Sequence, residues 1–266
     1  MTTLGPIRTS ARALAAVLAL LAAPAVAQDG EERRRTRVGL GPQLVPSYPG
    51  SDRVVVRPFV DVSRARGDEP FAFEAADESF GFALFRSGDF SVGPAIGFEG
   101  SRTRRDLGAD LPKVGATFEA GAFAQYQLGP AIRLRAEARR GIGGHDGWVG
   151  VLGADHVSRR GDDWLFSIGP RVTLADGRYH RAYFGVAPED AARTGLPAYR
   201  PKGGVQAVGA TAGLLYQFTP RWGVSSYVRY DRLVDDAARS PVVRELGSRN
   251  QFSGGVAATY TFGRSR

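Results

Sequence analysis

Arginine sets the chemistry open to this chain. Of 35 basic residues all but Lys113 and Lys202 are arginine. Six of them, Arg57, Arg133, Arg135, Arg139, Arg171 and Arg229, stand in stretches where apolar and polar residues alternate. If those stretches are strands, the six project from one face. Two chemistries are then open. A ring of cations around a lumen favours anions in a pore. The same arginines set against Glu99, Glu119, Glu137 and Asp231 make a ladder of ion pairs that fills the interior instead. Other reactive residue types are sparse. The three histidines, His145, His156 and His180, lack the tight spacing of metal ligands. With no cysteine there is no disulfide, thiolate ligand or thiol nucleophile. No G-x-S-x-G nucleophile motif occurs. Gly39 and Gly41, or Gly93 and Gly97, imitate a phosphate loop only in part, because no helix follows to hold a phosphate at its N-terminus. The expectation is a protein that is not an enzyme and holds neither metal nor cofactor.

The elements that would position the arginines show a period of two. In Ala131 to Arg140, Ile132, Leu134, Ala136 and Ala138 alternate with Arg133, Arg135, Glu137 and Arg139. Near the C-terminus Phe252, Gly254, Val256, Ala258, Tyr260 and Phe262 alternate with polar or small residues. Such alternation marks strands with two unlike faces. It places strands at 37–45, 54–63, 70–75, 80–86, 90–99, 117–128, 131–140, 147–158, 164–175, 204–218, 222–234 and 250–262, and no amphipathic helix. The third and fourth alternate least clearly, so a count of ten also stays open. Strands of ten to twelve residues exceed the usual five or six of soluble sheets. Aromatics recur at the ends of the apolar faces, where a membrane barrel carries its interfacial girdles. Connections alternate between tight links, such as Ser87-Gly88-Asp89, Gly129-Pro130 and Thr219-Pro220-Arg221, and long ones near 100–116, 176–203 and 235–249. The fold class that follows is all-β, an antiparallel transmembrane β-barrel of about twelve strands. An even count puts both termini on the periplasmic side.

Composition agrees. Mean hydropathy is −0.20, too low for a bundle of spanning helices but ordinary for a barrel, in which alternate residues face lipid. Residues 1–27 read as a cleaved export signal, with Arg8 and Arg12, an apolar run from Ala13 to Ala23, and Ala25-Val26-Ala27 as cleavage site. A charged, flexible segment is expected at 28–36, the barrel at 37–262 and a short extension at 263–266. Net charge is +8. An exported chain meets little nucleic acid, so the expected partners are anionic: lipid headgroups, lipopolysaccharide, or solutes.

Three loop segments stand out. One is Pro46-Ser47-Tyr48-Pro49-Gly50-Ser51-Asp52. The second runs from Ala182-Tyr183-Phe184-Gly185-Val186 to Gly195-Leu196-Pro197-Ala198-Tyr199. The third contains Asp236, Ser240 and Pro241. By residue type they could simply shape tight turns. Together, in this order, they resemble the MipA/OmpV family of outer-membrane proteins over essentially the whole mature chain. The resemblance implies an outer-membrane barrel, delivered by the barrel-assembly machinery, with a scaffold role between a murein hydrolase and a murein synthase. A narrow anion-preferring, porin-like pore and a surface adhesin or receptor are the alternatives. One departure from outer-membrane habit is that Phe262 is followed by Gly263-Arg264-Ser265-Arg266 instead of ending the chain.

Overall fold

The structure, a computed structural model, describes residues 34–263. The expected export signal, residues 28–33 and the tail 264–266 lie outside the described residues. Twelve strands follow in chain order: β1 (Arg34–Pro46), β2 (Val54–Arg66), β3 (Phe80–Gly81), β4 (Phe85–Ser87), β5 (Phe90–Glu99), β6 (Thr117–Leu128), β7 (Ile132–Ile142), β8 (Trp148–Arg160), β9 (Trp164–Ala175), β10 (Gly204–Gln217), β11 (Trp222–Leu233) and β12 (Asn250–Phe262). All pairings are antiparallel, between chain neighbours except that β3 pairs with β5, and β1 pairs with β12, Thr36 opposite Phe262, so the first and last strands close one side of the wall. The long strands, at about 3.4 Å per residue and tilted by about 45°, each cross roughly 24–34 Å, the thickness of a hydrocarbon core.

Polarity is inverted relative to a soluble protein. Along β7 the even-numbered residues Ile132 and Leu134 are about two-fifths exposed, while Arg133 between them is buried. Val56, Phe98, Val228 and Phe252 likewise face outward. Alternation alone dictates this, because successive side chains point to opposite faces of a strand. Aromatics form two bands on the outside. At the end with short turns, Phe90 is opposite Tyr126, Trp164 opposite Tyr216, and Trp222 opposite Tyr260 with ring centroids 4.8 Å apart. At the end with long loops, Phe98 is opposite Phe118 and Tyr230 opposite Phe252. These bands match the two interfacial girdles of a membrane barrel.

Two expectations need correction. The stretch 70–75 is not a strand, and 80–86 shortens to the fragments β3 and β4, which pair with β5 alone. From Arg66 the chain turns into the lumen and makes its return pass through the interior. Charge explains the detour. Asp77 and Glu78 find arginine partners there, and Phe71 lies under the guanidinium of Arg37 at 4.5 Å and Phe73 under that of Arg133 at 4.3 Å. Among the described residues no pairing joins β2 to β3, and the seam is spanned near the long loops by Arg57 and Glu99 at 4.0 Å. Strand β1 also begins inside the segment expected to be flexible, because Arg35 is held by the carbonyls of Gly67 and Glu69 and by Asp162.

The second correction concerns helices. The loops carry five short ones, α1 (Arg104–Leu107), α2 (Gly177–Phe184), α3 (Pro188–Thr194), α4 (Asp235–Arg239) and α5 (Pro241–Leu246). All are shorter than the window in which helical periodicity can be read. Local chemistry still encodes them. Asp176 caps α2 by accepting from the amides of Arg178 and Tyr179, Pro188 and Pro241 open α3 and α5, and Gly195 closes α3 with φ of 73°. Asp176→Ala is therefore expected to cost about 1 kcal/mol of local stability. Amide exchange should quicken across 177–184 while the strand amides keep their protection.

Candidate functional site

All six arginines expected on one face do point into the interior, but none stands as an isolated cation. Arg133 pairs with Glu78 and, at 2.7 Å, with Asp155. Asp155 also accepts from Arg171 at 2.7 Å, and Arg171 reaches Asp77 at 2.9 Å. Asp77 accepts in turn from Arg229 at 3.1 Å, and Arg229 holds Asp231 at 2.5 Å. The result is one chain of alternating charge, Arg133-Asp155-Arg171-Asp77-Arg229-Asp231, which ties β7, β8, β9 and β11 to the inward segment. Arg135 pairs with Glu137 at 2.8 Å and lies over the Phe123 ring at 3.8 Å. Arg139 holds Glu119 at 2.8 Å and also contacts Glu137. Arg57 has the loosest pair, with Glu99, and donates to the Ser47 carbonyl at 3.1 Å.

Three members of this network escaped the sequence reading. Asp155 carried a readable signal, since it lies on the inward face of β8 directly opposite Arg133. Asp77 and Glu78 carried none, because they sit between two weak strand assignments with no register to place them.

His145 is the one histidine held against a carboxylate. Its Nδ1 accepts from the Gly147 amide at 3.0 Å, which puts the proton on Nε2, 3.0 Å from Glu119. Both ring nitrogens are committed, and the ring packs edge-on to Tyr179.

Over the long-loop end the three loop segments converge into a lid. Tyr48, Tyr183, Phe184, Val186, Val242 and Val243 are buried together with Leu107 and Leu111 from the loop that carries α1. Ser240 Oγ donates to the Phe184 carbonyl at 2.7 Å and accepts from the Val242 amide, with Pro241 buried between them. Gly50 has φ of 95°, where a side chain is strained, and a Cβ there would meet Val243 and Phe184. Its amide donates to Gln251, whose own amide reaches the Ser51 carbonyl. Val186 and Tyr199 form a backbone bridge, and Gly185 ends α2 on the Arg181 carbonyl. The Tyr199 hydroxyl donates to the Asp236 carbonyl at 2.9 Å. The Asp236 carboxylate takes the Lys202 amide at 2.7 Å, which with Arg239 keeps it below the ordinary carboxylate range. Leu196 packs against the core of the lid, whereas Pro49 is half-buried and Asp52 and Pro197 are exposed. Sequence reasoning missed Arg102, which is fully buried under Tyr48 and Tyr183 and donates to the Tyr183 and Pro112 carbonyls. Burial lowers its pKa and raises that of the Tyr183 phenol.

A family model described as MltA-interacting protein MipA matches residues 38–262. No curated protein matches the chain. Among solved structures, an outer membrane channel from Pseudomonas putida F1 is 12% identical with a TM-score of 0.40, covering 90% of this chain and 100% of that one. The NanC porin is 11% identical with a TM-score of 0.39, over 85% and 98%. The N-terminal β-barrel domain of Pseudomonas aeruginosa OprF is 12% identical with a TM-score of 0.30, over 65% and 98%.

Two predictions follow from the geometry. Arg171→Leu strands Asp77 and Asp155 in the interior, and removing one partner of a buried pair costs about 3–5 kcal/mol. Urea unfolding of the refolded barrel should show that loss, whereas Arg160→Ala, whose pair with Asp163 is exposed, should change stability by less than about 1 kcal/mol. The second concerns His180, fully buried in the lid with neither ring nitrogen bonded. Burial lowers its pKa, with Asp236 and Asp176 pulling the other way. The opened lid takes up a proton near the ordinary value of about 6.5, but the closed lid does not. Lid stability is thus intact above that pH and falls as the pH drops below it. Amide exchange in 177–199 should accelerate between about pH 6.5 and 5, and His180→Leu should flatten the dependence.

Proposed function

We propose that this chain, which belongs to the MipA family, serves as an envelope scaffold that engages a murein-remodelling enzyme and keeps its own lumen closed to ions. It is an outer-membrane β-barrel, as its inverted polarity, girdled wall and family membership agree. The observation that carries the closed-lumen reading is the pairing of all six arginines Arg57, Arg133, Arg135, Arg139, Arg171 and Arg229, with Asp77 and Glu78 of the interior segment filling gaps between strand carboxylates. An anion entering there would meet neutralised guanidiniums below a packed lid.

The rest of the proposal follows from the wall. Both termini face the periplasm, the long loops face outward, the apolar outer face and its aromatic bands meet lipid and lipopolysaccharide, and the barrel-assembly machinery inserts the chain. The role is not catalytic: the one histidine paired with a carboxylate has both ring nitrogens engaged, so no free base remains on it. The name MltA-interacting protein supports a murein hydrolase as partner.

A second reading, a narrow anion-preferring pore, is favoured by one observation: what neutralises Arg171 and Arg229 is partly Asp77, on a segment that is not a wall strand. Both are tested together. Refolded wild-type protein should be silent in planar bilayers and should retain an MltA-type lytic transglycosylase when immobilised. Deletion of 68–79 should produce conductance biased toward anions, and adding Arg133→Glu and Arg135→Glu should remove the bias. Steady anion conductance by the wild type, with no enzyme retained, would replace the scaffold with the pore.

A further inference from the structure

Between the inward segment and the lid the barrel leaves a cavity of about 370 Å³, within the size range of small-molecule sites. Its lining is unusual in being densely charged and yet balanced. Six carboxylates and five guanidiniums face it, a net of 5 − 6 = −1. A ligand of high charge, of either sign, would have to break existing pairs to be held, and breaking a buried pair is expensive. A neutral ligand rich in hydroxyls would not.

The bonding capacity left over has the matching form. A guanidinium has five N–H donors and a carboxylate about four acceptor sites, more than the pairs consume. Arg139 spends Nε on Glu119 and Nη1 on Glu137. Glu99 has only the 4.0 Å contact to Arg57 as ion pair. Four polar atoms of the lining are buried with no hydrogen-bond partner: the acceptors Gln206 Oε1 and Asp231 Oδ1, the donor Arg135 Nε, and the Tyr48 hydroxyl, which can do both. A buried polar atom left unpaired is costly, so such atoms mark where a partner belongs. Three tyrosines, Tyr48, Tyr179 and Tyr227, add ring surface to the same cavity, and Tyr179 is held against His145 at 4.7 Å. A sugar ring offers what this lining lacks: hydroxyls that donate and accept at once around its rim, and an apolar C–H face to lie on a phenol.

We infer that the lumen cavity is a binding site for a small uncharged saccharide of one or two rings, with Gln206, Arg135 and Glu99 bonding its hydroxyls and Tyr179 supporting a ring face. The site is independent of the scaffold reading, since a barrel that retains no murein enzyme can still hold a sugar.

The test is isothermal titration of the refolded full-length barrel in amine-oxide micelles, because alkyl glycoside detergents carry the ligand chemistry themselves. The probes are N-acetylglucosamine, cellobiose and maltose, with citrate and spermidine as charged competitors. At least one neutral sugar should saturate with a Kd of about 1 mM or tighter, and neither competitor should displace it. Gln206→Leu, Glu99→Gln and Tyr179→Leu should each weaken binding tenfold or more. Heat-modifiable gel mobility checks that each variant is folded, and saturation-transfer NMR on the wild type reports binding without any substitution. If no neutral sugar saturates the folded wild type by either method, if citrate or spermidine binds more tightly, or if all three variants bind like the wild type, the inference is overturned. Enzyme retention is read separately, so loss of sugar binding with retention intact rejects the cavity assignment and leaves the scaffold standing.

Discussion

The alternating chain of charge from Arg133 to Asp231 is the interaction on which the rest of this barrel depends. A wall whose outer face must be apolar forces its polar residues inward, and here many of them are arginines and carboxylates. Each charge taken from water costs several kcal/mol unless it is paired with good geometry. Asp155 satisfies that condition by accepting from Arg133 and Arg171 at 2.7 Å each. Asp77 does so by bridging Arg171 and Arg229. Arg133–Asp155 and Asp155–Arg171 reinforce neighbouring strands, and Asp77 carries the chain from Arg171 on β9 past β10 to Arg229 on β11, a link that backbone pairing between neighbours does not make.

The inward segment follows from the same requirement. Strand carboxylates are too few to neutralise the arginines at mid-height, and a segment carrying Asp77 and Glu78 gains more inside than in the wall. The wall gives up pairing along the outer edge of β2 in exchange. Unpaired backbone groups are costly where they face hydrocarbon. The β2 edge is instead backed by residues 72–83, with Phe59, Phe73, Phe80 and Phe82 around a cavity of about 160 Å³ at the seam.

This trade explains what the sequence could and could not reveal. Alternation is a local property, so β5, β6, β9 and β12 are legible to the residue, and β7 and β8 to within two. The direction in which Arg133, Arg135 and Arg139 point is legible for the same reason. Whether those arginines are free or paired depends on residues distant in sequence, such as Glu78 against Arg133, and periodicity carries no information about that. Residues 70–75 alternate Phe71, Phe73 and Ala75 with Ala72 and Glu74 and so imitate a strand. Tertiary charge pairing overrides the pattern. The lid was legible only as unusual chemistry: the prolines, glycines and Ser240 were noticeable, but their convergence on one core was not, since each caps or turns its own loop. Arg102 left no mark at all, because its two carbonyl partners belong to backbone whose path the sequence does not disclose.

Lid and network divide the lumen between two kinds of closure. At the long-loop end closure is apolar, built on Tyr183, Phe184 and Val242, with the guanidinium of Arg102 tied to loop carbonyls. Toward the short turns it is ionic, built on Asp77 and Glu78. The ionic closure is itself buried, Arg171, Asp77, Arg133 and Asp155 being each at most 3% exposed, so salt screens it little. Between the two closures lies the cavity of about 370 Å³. The unfilled volume sits where the charge pairs retain spare donors and acceptors, and the barrel has kept it polar instead of packing it shut.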